Sequence, residues 1–325
     1  MINDKKLGAF IVPTGVGASI GGFAGDAGAY ARKFAQNHTL IVNPNVVNAG
    51  GFSAITDNML YVEGYSLDEF FKGNINLIPS QNNQIGIIFD KAIPQHILNV
   101  HINTMNAVKA VYGIDIPYYE ITEEEVGVTF NIDQNGISNG SITNQQTLLH
   151  SAQKLLKQGA EAIAIVCFFE NPEEENPDYQ QGQGVDPVGG VEAIISHFIS
   201  KELQVPCAHA PAFDDLEITT DLIDAKAASE YITPTFLPCI LLGLSNAPKL
   251  HQTQGINIKN LDYLIMPSNC LGSTPVFECL KRNIPVYAIE ENQTVLNITK
   301  EKIFPKADGI IPVNSYWELL EKITL

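Results

Sequence analysis

Short apolar runs recur along the chain, each followed by a polar or glycine-rich loop and then by an amphipathic stretch. Runs of four to eight residues with few polar interruptions predict strands buried on both faces, and so a parallel sheet. Three segments share the plan strand, loop, helix, strand. The first is FIVPTGVGASIGGFAGDAGAYARKFAQNHTLIVNPN, starting at residue 10. The second joins AEAIAIVCFF (160–169), through a long loop, to VGGVEAIISHFISKEL (188–203) and VPCAHAP (205–211). The third runs LDYLIMP (261–267), SNCLGSTP (268–275), VFECLKRN (276–283) and IPVYAIEEN (284–292). GIIPV and NSYWELLEKI follow as a short strand and a covering helix.

Between the first two units the pattern changes. QIGIIFD (84–90) reads as a strand, and PQHILNVHINTMNAVKAVYG (94–113) as an amphipathic helix stopped by Gly113. IPYYEIT (116–122) and VGVTFNI (126–132) read as a strand pair, DQNGISNGSITN (133–144) as a linker, and QTLLHSAQKLLKQG (146–159) as a helix with a glycine stop. The expected fold is α/β, built of parallel-sheet βαβ units as two Rossmann-like lobes with a cleft between them. Residues 1–143 would form the lobe with the glycine-rich loop, and 144–325 the lobe with cysteine-bearing strand ends. Ligands of open parallel sheets sit beyond the carboxyl ends of the strands, where all three unit loops fall. TPTFLPCILLGLSNAPKL (233–250) reads as a buried connector or as a contact between copies, so a homo-oligomer is possible.

Composition narrows the classes. The 325 residues are 45% hydrophobic and 17% charged, enough apolar material for one large or two ordinary domains. The formal net charge of −17 argues against nucleic acid and against anionic membrane surfaces as partners. No apolar run reaches bilayer length, and MINDKKLGAF lacks the apolar stretch of a secretory signal. Five scattered cysteines without a CxxC pair read as free thiols of a reducing compartment, so a cytoplasmic protein is expected.

The opening loop places Gly15, Gly17, Gly21 and Gly22 beside Thr14 and Ser19, with Asp26 beyond. Glycines let backbone amides approach an anion at a helix N-terminus; they also serve any tight turn that needs positive φ. A dinucleotide site wants an acid after the next strand, where Asn43 and Asn45 stand, and no GKS or GKT occurs, so no cofactor is favoured. Asn43, Asn45 and Asn48 offer donors and acceptors to a ligand, or simply form a turn around Pro44. After the acidic stretch 170–178, Gln183, Gly184 and Asp186 face a polar small molecule, or Asp186 caps the following helix. Alternation puts Cys207 and His209 on one side of an extended segment, as a thiolate–imidazole pair or, if a metal is bound, as two of its ligands; His197 is a third partner in that case. No dense ligand spacing supports a metal. Cys270 follows a strand and precedes a helix, where a thiol can ionise more easily, with Asn269, Gly272, Ser273 and Thr274 around it as ligand-binding groups. Glu290 and Glu291 end the next strand as candidate general bases. Tyr61, Glu63, Tyr65 and Asp68 line a pocket or cap the sheet.

The phrases VPTGVGASIGGFAGDA, NPNVVNA, MLYVEGY, QGQGVDPVGGVEAIISH, VPCAHAP, TFLPCILLGLS and VYAIEEN resemble those of the DUF3326 family across nearly the whole chain. That resemblance implies no established activity. In architecture, strand–Cys167–loop–helix and strand–Cys270–loop–helix resemble aspartate/glutamate racemases, which implies thiol-mediated proton transfer beside a carboxylate; Phe168 and Phe169 depart from that pattern, which leaves Cys270 as the match. NCLGSTPVFECLKRNIPVYAIEEN resembles the donor-binding helix of two-domain glycosyltransferases, with Gly272, Ser273, Thr274 and Glu278 in the corresponding places. The combined expectation is an isomerase, lyase or hydrolase for a small anionic or polar metabolite. The glycine-rich loop would bind its anionic group, and Cys270 or Cys207–His209, with Asp186, Glu290 and Glu291, would do acid/base or nucleophilic work. A non-catalytic binding or sensor protein is the alternative, and a nucleotide or nucleotide-sugar transferase a further one.

Overall fold

A computed structural model describes residues 5–22, 27–169, 179–214 and 218–324. Two parallel sheets organise them. The larger has six strands in the order Ile310–Val313, Val286–Ile289, Tyr263–Pro267, Leu7–Phe10, Thr39–Val42, Met59–Tyr61. The smaller has four, in the order Cys207–Phe213, Ala162–Phe169, Ile85–Phe89, Tyr118–Ile121. Every pairing within each sheet is parallel. The central strands are buried at every position, as expected of strands covered on both faces.

Helices alternate with these strands because their apolar positions recur at helical spacing. In Gln95–Tyr112 the buried positions are Ile97, Leu98, His101, Met105 and Val108. Gly113 ends that helix with φ +68°, a left-handed conformation cheap only for glycine, and Gly159 ends Gln145–Gln158 in the same way at φ +111°.

The two halves of the chain do not map onto the two sheets. Strands from before and after residue 143 share both the six-stranded and the four-stranded sheet, so a boundary there does not follow the architecture. An open cleft between two lobes is not what joins the sheets either. Phe10, Val42 and Tyr263 of the first belong to the same apolar cluster as Ile87, Ala164 and Ala210 of the second. The buried helix Leu237–Ser245 sits in that shared core; it packs on the four-stranded sheet, and its Gly243 lies against the Tyr61 ring of the six-stranded one. Of the two readings of 233–250, a buried connector or a contact between copies, the burial of this helix fits the first. Separate clusters cover the outer face of each sheet.

One region differs from its pattern. Tyr118–Ile121 joins the four-stranded sheet, whereas Val128–Ile132 pairs antiparallel with Ser138–Ile142. The expected pair at 116–132 is thus split, and the expected linker is half of a hairpin. Its turn is held by Asp133, whose Oδ1 accepts the amides of Asn135 (2.8 Å) and Ile137 (3.0 Å), with Gly136 at φ +76°. The hairpin lies on the start of the helix Gly189–Leu203, where Gly190 passes so close to the Ser138 carbonyl that an added Cβ would sit 2.3 Å away.

Candidate functional site

The opening loop spans from one sheet to the other. Gly15, Gly17 and Gly21 all have positive φ, and an added Cβ on Gly22 would meet the Ala18 carbonyl at 2.0 Å. Gly17 packs on Gly184 and Val185, Gly15 faces Ser138 and Gly190, and Val16 accepts the Val295 amide. The opening loop therefore lies in contact with the end of the second unit's loop and with the segment that follows the third unit's last strand. The Ser19 amide donates to Gln293 O (2.7 Å) and the Ile20 amide to Asn292 Oδ1 (3.0 Å), while Lys226 Nζ donates to Ser19 O (2.9 Å). Asn43 pins the strand end, exchanging hydrogen bonds with both the amide (3.1 Å) and the carbonyl (2.7 Å) of Val12. Asn45 Nδ2 donates to Pro13 O (3.0 Å), with Thr14 Oγ1 3.5 Å from its Oδ1. Gln183 and Gly184 are exposed. Asp26 and the acidic stretch 170–178 lie outside the described residues.

The third unit holds its loop with its own side chains. Asn269 accepts the Thr294 amide (3.0 Å) and donates to Thr294 O (3.0 Å). Gly272 packs on Ile298, Ser273 Oγ points to Met266 Sδ, and Thr274 begins the next helix. Glu278 is engaged by Lys281 and Arg282. Glu290 and Glu291 are exposed, and Glu291 accepts the Tyr316 amide (2.7 Å). Cys270 is 3% exposed, its Sγ directed at Pro267 O (3.5 Å), and burial pushes its thiol up to about 12. The expected help of a helix N-terminus is outweighed by loss of water around the thiolate. Cys167 and Cys270, on which the likeness to racemases rests, lie in different apolar clusters. Burial likewise holds Cys207 well above its ordinary range. With all five thiols buried, alkylation under native conditions should be slow at every one, and addition of denaturant should release all five. Mass spectrometry of iodoacetamide-treated protein checks this; one fast native thiol would restore a cysteine mechanism.

The polar centre of the molecule is elsewhere. His209, in the edge strand Cys207–Phe213, points from the four-stranded sheet toward the helix Gly189–Leu203. Its Nδ1 lies 2.9 Å from Ser196 Oγ and 3.3 Å from Glu63 Oε2; its Nε2 lies 3.8 Å from Glu192 Oε2. Glu63 arrives from the other sheet, just past the edge strand Met59–Tyr61, and its Oε1 accepts a 2.6 Å hydrogen bond from the Tyr61 hydroxyl. Asn48 Nδ2 donates to the same hydroxyl (3.2 Å). Asp186 accepts the amides of Val188 (3.0 Å) and Gly189 at the start of the 189–203 helix, and its charge reaches His209. The side chains of His209, Glu63 and Glu192 are only 13%, 7% and 10% exposed.

Electrostatics separates the members of this centre. Burial opposes a charge on His209, but the carboxylates of Glu63 and Glu192 outweigh it and lift the imidazole to about 9. Burial lifts Glu192 to about 7 against the pull of His209, and it raises Asp186 as well. A buried imidazolium between two carboxylates, one of them close to half-protonated at neutral pH, is an arrangement able to give and take protons. Cys207 shares the face of the strand with His209, yet its Sγ turns toward Ala208 O at 3.9 Å. Among the described residues no group of three or more His, Cys, Asp or Glu side chains is arranged to hold a metal ion, so the conditional Cys207–His209 ligand pair with His197 is not assembled.

Of this centre, His209 and Asp186 stand out in the sequence as candidates, and Glu63 as a possible pocket residue. Glu192 and Ser196 were missed. Their signal is a polar stripe, Glu192–Ser196–Ser200, running at four-residue spacing beside the apolar stripe Val191–Ile195–Ile199 in one buried helix.

Known proteins match this chain as follows. The profile of a family described as a protein of unknown function (DUF3326) matches residues 8–324. A protein of Synechococcus sp. named an uncharacterized lipoprotein is 38% identical over 308 residues, which cover 92% of this chain and 85% of the relative. No solved structure matches. The relative's name overturns the expectation of a cytoplasmic protein, since lipoproteins are anchored at a membrane. All five cysteines are buried, and a buried thiol survives without a reducing compartment, so free cysteines do not fix the compartment. Among the described residues no helix is long and apolar enough to cross a membrane.

Proposed function

The chain belongs to the DUF3326 family, and we propose that it is an enzyme that transfers protons on a small polar metabolite at the Glu63–His209–Glu192 centre, as an isomerase, lyase or hydrolase. What carries this reading is the placement of one imidazole between two buried carboxylates contributed by different elements, with His209 raised to about 9 and Glu192 to about 7. His209 is the general acid of the resting state and Glu192 the group poised to accept a proton. Glu63, ordered by Tyr61, holds the imidazole in place. The cysteines take no chemical part, because burial keeps them as thiols. No nucleotide-sugar role is carried forward: Gly272 and Glu278 are engaged by the chain itself. By analogy with the Synechococcus relative, the activity would belong to a protein held at a membrane surface.

The near-complete enclosure of these side chains favours, as the second reading, a protein that binds its small molecule without changing it. The two are separated by incubating the whole protein with a pooled metabolite extract in heavy water. Mass spectrometry should find a metabolite that gains deuterium or changes mass with the native protein and not with His209→Gln or Glu192→Gln. No altered metabolite, with a ligand nonetheless retained on the protein, would leave the binding reading in its place.

A further inference from the structure

A continuous polar chain crosses the centre from Asn48 through Tyr61, Glu63 and His209 to Glu192. Both of its ends are incomplete. Asn48 Oδ1 and Glu192 Oε1 are buried and have no hydrogen-bond partner, and Glu192 is only 8% exposed. A buried oxygen left without a donor is costly, so such atoms mark where a missing group belongs. With Glu192 ionised, both atoms are acceptors. What is missing is therefore a donor at each end.

Charge points the same way. Glu63, Glu192 and Asp186 are three carboxylates against the single imidazole of His209. An anion brought here would meet uncompensated like charge. A small pocket whose lining includes Tyr61, Glu63, Ser66 and Cys207 reaches the chain at Glu63.

We propose that this centre takes a small organic amine in its ammonium form, with an N–H group donating to Glu192 Oε1. The inference rests on reading this centre as the ligand site, and it replaces the anionic metabolite expected from the glycine-rich loop. It requires no metal and no redox partner.

Calorimetric titration of the full chain with ethanolamine and with ethylenediamine, at about pH 8 where most of Glu192 is ionised, tests it. Both probes should bind, and Glu192→Gln should weaken binding about ten- to hundredfold, the loss of one charge-assisted hydrogen bond. The exposed Glu321→Gln should bind as the native protein does. Absence of binding by both amines overturns the proposal. So does equal affinity in Glu192→Gln, binding of acetate or phosphate in preference to the amines, or binding of glycerol as tightly as ethanolamine. An amine that binds but is not altered in the heavy-water experiment removes the enzyme reading and leaves the ligand class standing. Turnover of an anionic metabolite without amine binding does the reverse.

Discussion

Replacing His209 with leucine should destabilise the protein by about 3 kcal/mol near neutral pH, because it strands buried carboxylates that now share one cation. The pH dependence identifies the cause. His209 has its folded-state value raised from the ordinary 6.5 to about 9. A group raised in this way contributes its full stabilisation below the unfolded value and loses it as pH climbs through the folded one. The gap between native and His209→Leu protein should therefore be widest around pH 6 to 7, narrow toward about pH 10 as the native imidazole loses its proton, and narrow toward about pH 5 as the carboxylates of the variant take up protons. The groups facing the imidazole are Glu63 beyond the 59–61 strand, Asp186 before the 189–203 helix, and Glu192 and Ser196 on it.

Glu192 supplies the complementary control. Its folded value is raised from 4.5 to about 7, so the fold prefers the protonated acid and loses stability as pH rises from the lower figure through the higher. Glu192→Gln, a permanent mimic of the neutral acid, should remove that slope and be more stable than the native protein above neutrality, on the order of 1–3 kcal/mol. Urea unfolding of the three proteins across about pH 5 to 10 reads both effects. A gap for His209→Leu that stays flat over this range would mean that packing, not charge, holds the ring.

Much of the secondary structure was legible because local rules decide it. Gln95–Tyr112 and Gln145–Gln158 carry their apolar stripes and their glycine stops in the sequence, and Ile85–Phe89, Ala162–Phe169 and Tyr263–Pro267 are plain apolar runs. Which strand lies beside which was not legible. Leu7–Phe10 pairs with Tyr263–Pro267 across some 250 residues, and nothing local to either strand names the other. The hairpin over 128–142 was hidden by its polarity, although Asn135–Gly136 is a turn signal between two alternating segments. The centre was half legible for the same reason. His209 stands out as a lone imidazole in an apolar strand. Glu63 and Glu192 acquire meaning only when an edge strand of each sheet meets the 189–203 helix. Cys270 shows the opposite failure: a suggestive loop position, cancelled by burial that the sequence does not display.

The second large effect is expected at Asp90. It follows the strand Ile85–Phe89, beside the point where the four-stranded sheet turns from one winding direction to the other, and it is 2% exposed. Its Oδ1 accepts the amides of Ala92 (3.1 Å) and Val126 (3.0 Å), and its Oδ2 that of Phe168 (3.3 Å). Three segments remote in sequence are thus tied to one carboxylate. Burial nonetheless raises its pKa, so the amides offset only part of the cost of burying its charge. Asp90→Ala leaves three backbone donors without a partner in the interior and should lower stability by about 3–5 kcal/mol. Asp90→Asn separates hydrogen bonding from packing. Its single carbonyl oxygen can still serve Ala92 and Val126, but its NH2 group would face the Phe168 amide, donor against donor. It should lose about 1–3 kcal/mol. Hydrogen exchange locates the damage: the Phe168 amide should exchange faster in both variants, the Val126 amide mainly in Asp90→Ala. Phe168 lies in the strand that pairs with the one carrying His209, so Asp90→Ala should also disturb the His209 ring resonances. If both variants lose less than about 1 kcal/mol and leave these amides protected, the carboxylate is a passenger in the fold rather than the tie that sets this end of the sheet.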